Sequence, residues 1–223
     1  GYQAQRLPVS HAFHTKIVAA AAAPLLGALT DVAFRPTRSA GVVLGIVFAM
    51  AGFWVYLRVL GQRPAQELVL YAVGITVLTA LTVAFSVLSH AEPERAGAAG
   101  VGLGAAVALG AWLYAWRLDL LGCALAAACG GFLLLTMAWG RGVVPGTSLT
   151  LSSGVYASLL AAGAVLQGRL AWYAAAGLVL VPLAVRLPLP QRAPAAAQAL
   201  LALLYALAAA GGVCALAWFA RRG

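Results

Sequence analysis

The sequence predicts an all-α, polytopic integral membrane helix bundle, and three observations predict it. Of its 223 residues 64% are hydrophobic and only 9% charged, whereas an ordinary soluble domain carries about 25% charged residues. From residue 39 onward, apolar runs alternate with short charged or Pro/Gly breaks, and each run approaches the roughly 20 residues that cross about 30 Å of hydrocarbon. The breaks hold the arginines, as expected of cations that anchor helix ends at a membrane interface. A mean hydropathy of +0.97 cannot be hidden in a core of this size, because a globular domain still needs a polar surface.

The predicted spans, in order, are 39–57, 68–88, 96–116, 120–139, 148–167, 170–185 and 197–219. Arg58 and Arg63 close the first and Glu67 precedes the second; the third lies between Arg95 and Arg117. Asp119 and Arg141 bracket the fourth, and "PGTSLTLSSG", residues 145–154, opens the fifth. The sixth is short and contains Pro182, so it is expected to tilt, kink or only partly span. Arg186 and Arg192 separate it from the seventh, which ends at Arg221 and Arg222. Seven helices is the expectation, with six to eight the range. Loops this short make consecutive helices antiparallel neighbours. Gly41 and Gly45, and Gly100 and Gly104, have the spacing that lets helix backbones approach closely.

A net charge of +9 would suggest nucleic acid in a soluble protein. Here the cations are isolated arginines between apolar runs, with no dense basic face, so no nucleic-acid partner is expected. Cys123, Cys129 and Cys214 all fall inside apolar runs with no C-x-x-C pair. They read as small buried hydrophobes, and no metal site and no cofactor are expected. An ionisable residue within a span is a functional hypothesis by default, but Glu67, Glu92, Glu94 and Asp119 all lie at run ends. That disfavours proton relays and cation-coupled transport. His90, in "SHAEPER", is expected to be a solvated residue at a loop mouth; alone, it disfavours bis-histidine haem.

The one polar cluster within the spans opens the fifth. Thr147 or Ser148 is expected to cap that helix. Ser152 and Ser153 are expected to bond to backbone or a neighbouring helix, or to line a site for a neutral or lipid substrate.

Residues 1–38, "GYQAQRLPVSHAFHTKIVAAAAAPLLGALTDVAFRPTR", resemble the histidine-bearing segment of malonyl-CoA:acyl carrier protein transacylases, including the acyltransferase domains of polyketide synthases. The resemblance runs through "LPVSHAFH" and "DVAFRP" and covers about one sixth of the chain. It implies that His14 is a general base toward a serine nucleophile, that His11 belongs to the motif associated with malonyl selection, and that acyl carrier protein is a partner. The family's G-H-S-x-G elbow and malonyl-binding arginine lie upstream of this histidine, and neither occurs in residues 1–38. After Arg38 the family continues with a strand; this chain begins a membrane helix.

Two domains are therefore drawn: an incomplete acyltransferase-like remnant at 1–38 and a transmembrane helical domain at 39–223. The function expected is that of a non-enzymatic membrane protein, either a structural or assembly subunit or a small permease-like unit, in contact with the lipid bilayer and other membrane subunits. The rivals are part of a malonyl-CoA acyltransferase, and a transporter or flippase for a neutral or lipid substrate. A bacterial inner membrane is expected. Flanking arginines divide evenly between the two sides; Arg6 and Lys16 tip the N-terminus toward the cytoplasm.

Overall fold

In the computed structural model, residues 26–29, 31, 38–62, 64–113, 119–139, 144–168 and 170–222 are described. Among them the chain is helical, without strands. We label the helices α1 (Arg38–Leu60), α2 (Ala65–Val87), α3 (Pro93–Leu113), α4 (Asp119–Trp139), α5 (Gly146–Leu166), α6 (Trp172–Gly177), α7 (Leu180–Ala184) and α8 (Ala195–Arg222). Five of these, α2, α3, α4, α5 and α8, are long and apolar enough to cross a membrane.

Hydropathy places these runs, but proline and glycine set their ends. Pro64, Pro145 and Pro194 immediately precede α2, α5 and α8, and Pro93 is the first residue of α3. A helix start tolerates proline, because its missing N–H would have no intrahelical partner there. Helices therefore begin a turn earlier than the apolar runs suggest: α2 starts at Ala65 where 68 is expected, and α3 at Pro93 where 96 is expected. At the other end of α5, Gly168 takes φ +67°, and its N–H donates to the Val165 carbonyl at 2.9 Å. Glycine adopts this left-handed geometry without the strain a Cβ would bring.

The segment expected to be short and kinked is two short helices, α6 and α7, separated at Leu178 and Val179. Pro182 lacks the N–H that would bond the Leu178 carbonyl in a continuous helix. That carbonyl instead accepts from Val181 N–H at 3.2 Å, a tighter i to i+3 turn.

The bundle is built around α5, whose apolar window is 83% buried, with α3 next at 61%. The corresponding windows of α2, α4 and α8 are only 28%, 22% and 28% buried, so these three helices form the outside. One core joins α3, α5, the α6–α7 segment and α8 through Leu103, Ala106, Leu160, Val181, Ala206 and Val213. Two smaller cores join α1, α2 and α5: Phe48, Val83 and Leu151 toward one end, Tyr56, Leu60, Ile75 and Leu166 toward the other. On α8 the buried apolar residues are Ala199, Ala202, Ala206, Ala210, Val213 and Ala217, a small-residue stripe at helical spacing that suits close backbone approach.

Glycine pairs bring α3 and α4 closest. A Cβ on Gly104 would stand 2.8 Å from the Gly122 carbonyl oxygen, and one on Gly122 would stand 2.9 Å from the Gly104 carbonyl oxygen. Real Cβ atoms do not approach this closely, so the backbones touch where side chains are missing. Gly45 does the same for α1 against Ala80 of α2.

Candidate functional site

The polar groups of the bundle gather toward one end, where α2 and α4 finish and α3 and α5 begin. The first of them caps α5. Pro145 precedes the helix without a side-chain cap, and neither Thr147 nor Ser148 provides one. The cap comes from Asp31, 116 residues earlier: Thr147 N–H donates to its Oδ2 at 2.7 Å and lies 3.0 Å from Oδ1. The Thr147 hydroxyl lies 2.7 Å from the Gly27 carbonyl and 2.8 Å from Asp31 Oδ1, and its single proton goes to one of these acceptors. A carboxylate here satisfies a free N–H and meets the positive end of the helix dipole. Gly146, at φ +66°, packs directly against the Asp31 carboxylate. Gly27 lies so close to α5 that a Cβ on it would meet Ser148 Cα at 2.7 Å. These bonds join residues on either side of the 38/39 boundary drawn from sequence.

Residues 88–92 connect α2 to α3 at the same end. His90, expected to be solvated, is half-buried. Its ring Nδ1 is 2.8 Å from the Val87 carbonyl and must donate there, since a carbonyl only accepts. Arg95 Nε lies 2.6 Å from Glu92 Oε2, an ion pair by distance whose N–H is not aligned for a hydrogen bond. Glu94, in the first turn of α3, is 5% exposed.

Below these charges a row of hydroxyls enters the bundle. On α2 and the turn that follows it, Thr79, Thr82, Ser86 and Ser89 are all buried; their i, i+3, i+7, i+10 spacing puts them on one helix face. On α5, Thr147, Thr150, Ser153 and Ser158 are buried. The two sets meet where α5 lacks a side chain: a Cβ on Gly154 would stand 3.1 Å from Ser86 Oγ and 3.2 Å from Val83 Cα. Four of these eight hydroxyls, those of Thr82, Thr150, Ser153 and Ser158, bond to their own helix. Thr82 donates to the Leu78 carbonyl at 2.7 Å, Ser153 to Thr150 at 3.0 Å and Ser158 to Val155 at 3.0 Å. Thr79, Ser86 and Ser89 have no partner among the described residues. Sequence reasoning missed the α2 half of the row; the signal available was the helical spacing of four hydroxyl residues in an otherwise apolar run.

Of the sequence-predicted residues, Ser153 is buried in this row and Ser152, beside it, is half-buried and bonded to the Ser148 carbonyl. An apolar cavity of about 40 Å³ lies elsewhere, among Ala106, Val107, Leu160, Ala164, Val213 and Cys214 of α3, α5 and α8. His11 and His14 lie outside the described residues. Among the described residues, no three His, Cys, Asp or Glu side chains are grouped to hold a metal. Compared with protein-family models, curated proteins and solved structures, the chain matches none.

Proposed function

We propose that this chain is an integral membrane protein without a catalytic centre in its helical bundle, serving as a structural or assembly subunit of a larger membrane complex. The observation that supports this most is the surface of the outer helices. Val42, Ile46, Met50 and Trp54 on α1, Val69, Val73 and Val77 on α2, Leu120, Leu134 and Trp139 on α4, and Leu200, Leu204 and Phe219 on α8 all face outward. Buried hydroxyls and exposed large apolar side chains invert the soluble pattern and suit lipid as the surrounding medium. Between those side chains, Gly131 on α4 and Gly211 and Gly212 on α8 have nothing within 4 Å of the space a Cβ would take. Small residues on an apolar face favour a neighbouring helix over lipid tails.

In this reading the α1 and α6–α7 segments complete a seven-segment bundle, in a bacterial inner membrane with the N-terminus cytoplasmic. Residues 1–38 are an acyltransferase-like remnant. Native mass measurement of the full chain, extracted from its own membrane in mild detergent, tests the assembly role. Particles containing other membrane subunits, lost on Gly131→Leu or Gly212→Leu with the chain still folded, are expected; a monomer would contradict it. Malonyl transfer abolished by His14→Ala would instead favour the acyltransferase rival.

A further inference from the structure

The hydroxyl row between α2 and α5 is larger than helix packing requires. A lone serine or threonine in an apolar helix ordinarily returns its proton to a carbonyl one turn back, as Thr76, Thr82 and Thr136 do here. Thr79, Ser86 and Ser89 are 0%, 1% and 1% exposed and have no such bond among the described residues. Burying a hydroxyl without a partner is costly, so native structures nearly always supply one from protein or water. Three on one helix face, with Ser86 beside Gly154 of α5 and Thr79 beside Gly52 of α1, mark a track rather than an isolated defect.

Position adds direction. Ser89 lies in the turn next to exposed Ala91 and Glu92, at the polar end of the bundle. From there to Thr79 is about 15 Å along the helix axis, half of an about 30 Å hydrocarbon layer. At that depth the row stops. Tyr56 of α1, 4% exposed, donates its hydroxyl to the Leu159 carbonyl of α5 at 2.6 Å, and beyond it Leu60, Ile75, Ala162 and Leu166 form an apolar plug with Tyr71 and Trp172 packed against it. Gly154 of α5 borders the row at Ser86, where a Cβ would stand 3.1 Å from its Oγ, and Gly52 of α1 borders it at Thr79.

We propose that this row is a hydrated half-channel: small neutral hydrogen-bonding molecules, water foremost, enter beside Ser89, pair with the Ser89, Ser86 and Thr79 hydroxyls, and stop at Tyr56. The inference rests on the membrane-embedded reading above. It assigns the polar interior a ligand class that the assembly role does not.

Single cysteines at positions 89, 86 and 79, and at Ile75 beyond the plug, test it in the full chain with Cys123, Cys129 and Cys214 replaced by alanine. The variants are reconstituted in lipid vesicles and treated with methyl methanethiosulfonate, a small neutral thiol reagent. Ser89→Cys and Ser86→Cys should react about tenfold or more faster than Ile75→Cys, because thiol reactivity follows access. Equal, slow reaction at all positions in an inserted protein overturns the half-channel alone; a chain that does not enter vesicles overturns the membrane reading with it. Thermal midpoints of Ser86→Ala and Ser89→Ala, in the otherwise native chain, decide independently. A hydrated hydroxyl loses stabilising bonds on removal and the midpoint falls; a dry, unpartnered one is relieved and the midpoint rises, which overturns the proposal.

Discussion

At Asp31 a single carboxylate ties a distant segment to the start of the central helix. Replacing a good cap with alanine costs about 1 kcal/mol, and in a chain of this size that lowers the melting temperature by about 2–4 °C. Asp31→Ala is therefore expected to melt earlier in a thermal scan, with Asp31→Asn between it and the native chain because one acceptor remains. A melting point unchanged by Asp31→Ala would mean that Thr147 N–H finds another partner at no loss. Gly146→Ala should cost at least as much, since its φ of +66° strains any L side chain and the new methyl would press on the Asp31 carboxylate. This cap was only half legible. The run of proline, glycine, threonine and serine at 145–148 announces a helix start, and local rules assign the cap to Thr147 or Ser148. Nothing local identifies an acceptor 116 residues away.

Individual elements are the level at which hydropathy serves best. It places the long helices within a few residues and singles out the stretch around Pro182 as short. What it does not resolve is which face of an apolar helix turns inward, because α2 and α5 are apolar on most sides and lipid and core reward the same side chains. The buried hydroxyls of α2 belong to that blind spot, and so do the glycines. Gly104 and Gly122 look like any other residues in Ala/Gly-rich helices, yet α3 and α4 meet through them. Gly104→Val or Gly122→Val should force the helices apart and lower thermal stability by several degrees or block folding. Gly131→Ala, facing open space on α4, should be neutral or slightly stabilising, because alanine is favoured over glycine by about 1 kcal/mol within a helix. Matched melts of the three variants check the packing directly; equal losses at Gly104 and Gly131 would contradict it.

For the molecule as a whole, the account depends on what surrounds it. A bundle with α5 at the centre, hydroxyls inside and large apolar side chains outside is stable only if its surface meets something other than water. Composition alone carries this conclusion, since 9% charged residues cannot cover a soluble particle; the structure adds where the outward groups sit. Trp54, Trp112 and Trp139 are 55%, 69% and 71% exposed on three different helices, so the indoles report directly on the medium. The decisive measurement is tryptophan emission from the full chain reconstituted in vesicles whose acyl chains carry bromine, compared with iodide added to the water. Strong quenching by the brominated chains and little by iodide is the predicted result. Emission untouched by bromine and quenched by iodide would contradict a membrane-embedded bundle.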